Sequence, residues 1–363
     1  MPTILHVDDF PDDLTAWADE LSASGLKIQL RHPNEVTVED LSAAALVLVD
    51  YKIEVWPERS VIKPVALRPM TGLAVLAVLQ AASGVLEKPR AFTLYTAAPR
   101  ELANGLVPQP HIIARAHNLE WVFDKGLPST RRREQVATLT KGVDALPSTW
   151  PTEGPAAAAA LKNWLGLSES AEWIDSAWRS IVQCRPPIHD LARSTRGVGV
   201  MRWMLHRILP YPTFLIDDIH LASRLRMDVR EFRAALNVEA FRKTLTPALF
   251  TGGLSGFAGQ RWWRSGVEAI IYSLTSDDPS SIELLHARLS ALAPDIEVLE
   301  DASMRFPALD ANYEFEPALA KAADVVEITP DDWPPYADLA WARRTELEDF
   351  PDLKAISNLV ESD

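Results

Sequence analysis

Five side chains in the first 125 residues belong to types that do metal and phosphoryl chemistry: Asp8, Asp9, Asp50, Thr96 and Lys125. Each follows a short apolar run. Ile4-Leu5-His6-Val7 precedes Asp8 and Asp9, and Ala45-Leu46-Val47-Leu48-Val49 precedes Asp50. Phe92-Thr93-Leu94-Tyr95 precedes Thr96, and Trp121-Val122-Phe123 comes just before Lys125. Crowded carboxylates repel one another and call for a cation; hard oxygen ligands favour Mg²⁺. With the cation bound, Asp50 can attack phosphorus and form an aspartyl phosphate. Lys125 can pair with one phosphoryl oxygen and Thr96 can hydrogen-bond another. Taken singly, each residue has an ordinary use: an acid or threonine after a strand commonly caps a helix, and a lysine is commonly solvated. The ordered set of five is what points to one site.

The elements that must position these groups alternate strand and helix. Residues 4–7, 27–30, 45–49, 92–95 and 121–123 read as strands. The run at 45–49 has the continuous apolar character of a central parallel strand. Residues 12–24 carry Leu14, Trp17 and Leu21 at helical spacing, with Gly25 as a stop, and 72–82 form a strongly apolar helix candidate. Residues 53–70 read as irregular, with Pro57, Pro64 and Pro69. Strands separated by helices imply an α/β fold, a doubly wound parallel sheet with right-handed crossovers. Ligands of such sheets sit outside the carboxyl ends of the strands, which is where all five residues fall.

The motifs Ile4-Leu5-His6-Val7-Asp8-Asp9, Leu46-Val47-Leu48-Val49-Asp50, Leu94-Tyr95-Thr96-Ala97 and Val122-Phe123-Asp124-Lys125 together resemble the receiver domain of two-component response regulators, over about residues 1–145. The resemblance implies a flavodoxin-like fold with Asp50 as phosphoacceptor. It implies Asp9 and Asp50 as direct Mg²⁺ ligands, Asp8 as a ligand through water, and the Lys52 backbone carbonyl as the remaining protein ligand. Thr96 is then the switch hydroxyl and Lys125 the phosphate-contacting lysine, with a histidine kinase or a small phosphodonor upstream. The chain departs from the pattern in three places. Gly126 stands where a proline usually follows the lysine. Val122 holds the usual aromatic switch position, with Trp121 one place earlier. The segment between Asp50 and Gly72 is long and proline-bearing.

Residues 146–156 read as a linker, and 157–363 as a mostly helical output or interaction domain with an acidic tail. Helical patterns cover roughly 157–166, 169–184, 198–209, 218–226, 229–245, 261–274 and 280–292, and short strands are expected at 296–299 and 325–328. Residues 218–237 resemble a helix-turn-helix. Ala222, Leu225, Val229, Phe232 and Leu236 would be buried, while Arg230 and Arg233 would face outward as nucleic-acid contacts. A generic amphipathic helix pair has the same pattern. The glycine-rich 251–259 lacks the Gly-Lys-Ser/Thr of a Walker A loop and reads as tight packing or a turn. His189-Asp190 and Asp217-Asp218-Ile219-His220 are of the types that form metal or acid/base pairs but lack a third ligand at helical spacing, and Trp262-Trp263 reads as core or domain interface.

The composition bounds the function classes. The chain has 363 residues, 47 % hydrophobic and 24 % charged, which is globular and too apolar for disorder. The only cysteine is Cys184, so no intramolecular disulfide forms and a cysteine-based zinc site is not expected. No 18-residue apolar run occurs and the start lacks a basic n-region, so a cytoplasmic protein off the membrane is expected. The net charge of −14 divides unevenly: −6 over residues 1–178, +8 over 179–264 and −16 over 265–363. A basic middle beside an acidic end is either a partner-binding face with its counterweight or two segments that pack together. Three functions are open. Phosphorylation of Asp50 could shift the packing of the two halves, with DNA binding through 218–237 as output. The first half could instead be a phosphorylation-independent docking module of an adaptor or scaffold, with a protein partner or a second copy. An enzyme gated by the first half is the third, although no recognisable active site appears in the C-terminal half.

Overall fold

The structure is a computed structural model that describes residues 1–64, 68–84, 86–103, 109–147, 149–151, 154–190, 197–276, 278–295 and 304–358. The chain divides into two compact units. One comprises Met1–Trp164 and Pro187–His206, the other Leu165–Pro186 and Arg207–Asp363. The segment 187–206, which the sequence places among the C-terminal helices, therefore belongs with the N-terminal unit.

The first unit is built on β1 (Thr3–Val7), β2 (Lys27–Arg31), β3 (Leu46–Asp50), β4 (Ala91–Thr96) and β5 (Trp121–Asp124). All pairings are parallel and the order is β2-β1-β3-β4-β5, the flavodoxin-like arrangement. β1, β3 and β4 are buried along their whole length, as their near-continuous apolar sequence requires. Helices α1 (Thr15–Ser22), α2 (Val38–Ala43), α3 (Gly72–Ser83), α4 (Pro99–Ala103), α5 (Pro110–Ala116) and α6 (Ser129–Asp144) follow the strands in turn. Leu5, Val7, Val47, Val49, Leu94 and Val122 share one core with Val75, Leu76 and Ile113. Side chains alternate along a strand, so His6, Leu48, Asp50 and Tyr95 leave the opposite face. After β1 the chain turns to one side of the sheet and after β3 to the other. The crevice between those two loops is the ligand position of such a sheet.

Helices α7 (Gly154–Trp164) and α9 (Val198–Trp203) complete this unit, and α8 (Ile174–Gln183) belongs to the second. Residues 148 and 152–153 of the expected linker lie outside the described residues. So does the strand expected at 296–299.

The second unit is mainly helical: α10 (Asp218–Leu225), α11 (Val229–Ala235), α12 (Glu239–Leu245), α13 (Arg264–Leu274), α14 (Ile282–Leu292), α15 (Arg344–Asp349) and α16 (Pro351–Ala355). Antiparallel pairs join β6 (Leu215–Ile216) to β7 (Trp262–Trp263), β8 (Arg305–Phe306) to β9 (Ala320–Lys321), and β10 (Val325–Ile328) to β11 (Ala340–Arg343). The helix expected at 169–184 begins only at Ile174, and three others differ as well. The helix at 229–245 is two, broken at Leu236-Asn237-Val238; the break lets Phe232 and Phe241 pack ring to ring at 6.1 Å. The helix at 261–274 begins only at Arg264, because Trp262 and Trp263 pair with β6. The helix at 198–209 continues past α9 as a π-type turn over Met204–Ile208. Gly252 lies against the Leu165 backbone, where a Cβ would meet the carbonyl oxygen at 2.1 Å. The glycine-rich segment is thus close packing, as its sequence predicts.

Candidate phosphoacceptor site

Asp8, Asp9 and Asp50 come together at the crevice between the loops after β1 and β3. Each offers a carboxylate oxygen within 4.8 Å of the others, and all three are buried. Burial raises the pKa of Asp8; the Phe10 N–H and the Lys125 charge oppose the rise, and Asp9 adds to it. Burial likewise raises Asp50, against the stabilising contact of Lys125 and with the repulsion of Asp8. Both shifts come first from burial of a charged group, and repulsion between the neighbouring carboxylates adds to them.

Every carboxylate is already fixed by one oxygen. Asp8 Oδ1 accepts from the Phe10 N–H at 2.8 Å. Asp9 Oδ2 accepts from the Glu54 and Val55 N–H groups at 2.8 and 2.7 Å. Asp50 Oδ1 pairs with Lys125 Nζ at 2.7 Å. These contacts hold the three carboxylates together at the crevice. Hard, anionic and converging, that donor set fits Mg²⁺.

The loop after Asp50 is held from two directions. Asp9 grips its backbone at Glu54 and Val55. Arg59, from a short 3₁₀ turn over Pro57–Val61, donates to the carbonyls of Ile53 and Pro69 at 3.3 and 3.1 Å. The first helical residue of α3 is Gly72 for a steric reason: a Cβ there would lie 1.9 Å from the Asp50 carbonyl oxygen. Neither the Asp9 grip nor this close approach is visible in spacing alone. The single glycine at the start of an apolar helix was the available signal for the second.

Thr96 ends β4 fully buried. Its hydroxyl oxygen accepts from the Ala98 N–H at 3.0 Å, and its carbonyl accepts from the Lys125 N–H at 2.7 Å. Thr96 and Lys125 are therefore tied through the backbone at the sheet edge. Lys52 stands two residues past Asp50, and its exposed side chain pairs with Glu101 at 3.6 Å. Val122 is 1 % exposed in the core on the face away from Asp50, so no ring occupies the usual aromatic position. The ring beside Lys125 is Tyr95, whose centroid lies 4.8 Å from Nζ. Around Tyr95 stand His6, Trp17 and Arg132, which motif reading did not single out. His6 is wholly buried, and burial, with the nearby Lys125 charge, drives its pKa down to about 3.

In the second unit, Ala222, Leu225, Val229 and Phe232 are buried and Leu236 half-buried; Arg230 and Arg233 are exposed, at 90 % and 52 % of their side chains. Arg230 approaches Asp228 at 3.5 Å and Arg233 approaches Asp218 at 3.6 Å. Arg226 turns the chain between α10 and α11 at φ 56°, the left-handed conformation usually left to glycine. Asp217 caps α10 through the His220 N–H at 2.9 Å and meets His220 Nδ1 at 2.7 Å; Asp218 accepts from Trp262 Nε1 at 2.9 Å. These acids serve the fold.

No protein-family model matches the chain, and no curated protein does. Among solved structures, one match is the crystal structure of the response regulator ChrA in a heme-sensing two-component system. It is 13 % identical, covers 66 % of this chain and 98 % of that chain, and superposes with a TM-score of 0.26. At that identity and score, the reading of this chain rests on its own sheet order and side-chain geometry. Among the described residues, no helix is long and apolar enough to cross a membrane.

Proposed function

We propose that the N-terminal unit is a receiver-type phosphoacceptor module, with Asp50 as the acceptor and the C-terminal unit as its output. The observation that carries this reading is the Lys125–Asp50 contact of 2.7 Å inside a buried three-carboxylate cluster at the carboxyl edge of a 2-1-3-4-5 sheet. Asp8, Asp9, Asp50 and the Lys52 carbonyl would hold Mg²⁺, which supplies charge neutralisation and orients the incoming phosphoryl group. A carboxylate oxygen of Asp50 attacks phosphorus, and the bond from phosphorus to the donor's oxygen or imidazole nitrogen breaks. The leaving group departs with that electron pair. Lys125 pairs with the new negative charge, and the Thr96 hydroxyl hydrogen-bonds a phosphoryl oxygen. In this reading the chain accepts a phosphoryl group from a histidine kinase or a small phosphodonor and is not itself a turnover enzyme.

The test is incubation with acetyl phosphate and Mg²⁺, read by intact mass, with Asp50→Asn as control. The expected result is one added phosphoryl group that is absent from the variant. A folded protein that gains no phosphoryl group from acetyl phosphate or from kinase-bound phosphohistidine overturns the reading.

The proposed output is duplex DNA binding through 218–237. The exposed Arg230 and Arg233 and the +8 charge of residues 179–264 support it. Affinity for duplex DNA should then fall steeply with salt and weaken in the Arg230→Ala/Arg233→Ala double variant. Absence of binding at low salt removes this output. A second reading, a docking module that works without phosphorylation, is favoured by the loop after Asp50. Asp9 anchors that loop, and Val55, Val61 and Met70 on it are exposed. Partner capture unchanged by Asp50→Ala would select it.

A further inference from the structure

Asp50 and Tyr95 stand opposite one another across β3 and β4, so both side chains leave the same face of the sheet. Lys125 Nζ touches the Asp50 carboxylate and lies 4.8 Å from the Tyr95 ring centroid. The ammonium is therefore held between a charge and a π face. Trp17 of α1 stacks on Tyr95 with centroids 6.1 Å apart and planes 16° from parallel. The Arg132 guanidinium lies 5.6 Å from the Trp17 ring and 5.8 Å from the Tyr95 ring, and it donates to the Tyr95 hydroxyl at 2.5 Å. His6 meets the Tyr95 ring edge-on at 5.6 Å.

Arg132 is oddly placed. It sits in the first turn of α6, where the helix dipole disfavours a cation. Among the described residues it forms no ion pair, and the two rings and the phenol oxygen are what hold it. Its neighbour Arg133 reaches Glu20 of α1 at 3.3 Å. One aromatic cluster thus joins the acceptor's lysine to both helices on that face of the sheet. Val122, at the position where a ring is usual, is buried on the other face and cannot play this part.

We propose that Tyr95 positions Lys125, and that the Trp17–Tyr95–Arg132 stack carries the state of Asp50 to the surface formed by α1 and α6. This rests on the reading of Asp50 as phosphoacceptor. A phosphoryl group moves the negative charge from the carboxylate to oxygens further out. Lys125 must follow that charge. The Tyr95 face then loses its cation at the original position, and Trp17 and Arg132 repack against the ring. The signal would leave through α1 and α6, and β5 would need no ring of its own.

The full chain labelled with 5-fluorotryptophan provides the test. The Trp17 resonance is assigned by its loss in Trp17→Phe. Mg²⁺ and beryllofluoride, a phosphoryl mimic, are then titrated in; the bound beryllofluoride signal reports occupancy independently. The expected result is a Trp17 shift that follows occupancy. In Tyr95→Leu that shift is lost at full occupancy, and the occupancy midpoint weakens roughly two- to fivefold, the worth of one exposed cation–π contact. Tyr95→Phe, which keeps the ring, restores the midpoint and the shift. Arg132→Gln, which leaves the sheet residues intact, abolishes the Trp17 shift without loss of occupancy and serves if Tyr95→Leu does not fold. A Trp17 resonance that stays still in the unsubstituted chain at full occupancy overturns the inference alone. So does one that moves equally in Tyr95→Leu or Arg132→Gln. Failure to bind beryllofluoride, together with failure to gain a phosphoryl group, overturns the acceptor reading and this inference with it.

Discussion

At the scale of single residues, Asp9 does two jobs that substitution can separate. Its charge belongs to the carboxylate cluster, and its Oδ2 holds the Glu54 and Val55 N–H groups. Asp9→Asn keeps an amide oxygen for the two N–H donors and removes the charge. Mg²⁺ affinity should fall at least about tenfold, or about 1.4 kcal/mol, with the loop unchanged. Asp9→Ala removes both functions. Amide exchange at Glu54 and Val55 should then accelerate in Asp9→Ala and stay slow in Asp9→Asn. Equal exchange in the two variants would show that the loop does not depend on this carboxylate.

At the scale of elements, two helix starts show how local chemistry sets up the sheet. α3 begins where Gly72 lies against the Asp50 backbone, and Gly72→Ala places a Cβ 1.9 Å from the carbonyl oxygen. The expected cost is about 1–3 kcal/mol or more by overpacking. Gly84→Ala at the other end of α3, where the nearest atom would be 3.4 Å away, should be nearly neutral. Urea unfolding of the two variants measures the contrast. α2 begins at a reciprocal cap between Thr37 and Asp40, and Asp40 also takes both Arg31 Nε and Nη2, at 3.2 and 3.1 Å. Burial pushes the Asp40 carboxyl up, but Arg31 and Thr37 together outweigh it and hold its pKa below the usual value. A carboxylate with a lowered folded-state pKa stabilises the fold above its unfolded pKa and loses that effect as pH falls. Asp40→Asn should therefore cost about 1.5–3 kcal/mol at pH 7, and the difference from the unsubstituted chain should shrink below about pH 4. A pH-independent difference would assign the effect to packing.

At the scale of the whole molecule, the chain leaves the N-terminal unit after Trp164, returns at Pro187 and leaves again after His206. The returning segment is anchored at Arg202 and His206. Arg202 Nε meets Glu120 Oε1 at 2.6 Å, Arg202 also reaches Asn118, and the His206 ring contacts the Glu120 carbonyl at 2.8 Å. Glu120 is 1 % exposed, and burial raises its pKa against the pull of Arg202. Arg202→Ala leaves that carboxylate buried without its cation. The expected loss is about 2–3 kcal/mol, at the low end for a buried pair because Arg202 itself is about a third exposed. A fragment ending at residue 145 lacks the partner altogether and should unfold at lower urea than the full chain's N-terminal unit. Equal midpoints would show that 187–206 adds nothing to this unit's stability.

The residues gathered at the carboxyl edge of the sheet were legible in the chain because a parallel sheet leaves a plain trace. Apolar runs of strand length end in Asp8, Asp50 and Thr96, and the doubly wound connection brings those ends to one edge. The N-terminal strands and the apolar helix at 72 follow from periodicity for the same reason. What tertiary structure alone decided are contacts between groups distant in sequence whose types are unremarkable one by one. Tyr95 under Lys125, Arg132 over Trp17, Asp9 on the Glu54 and Val55 amides, and Arg202 on Glu120 have no common motif and no fixed spacing. The breaks at Asn237 and at Trp262-Trp263 were hidden too, because a helical apolar pattern continues across them. Burial of Phe232 against Phe241, and pairing of the tryptophans with Leu215-Ile216, outweighed local helix preference there. The return of 187–206 to the first unit was equally invisible. Patterning states that a face must be buried; only the folded chain states against what.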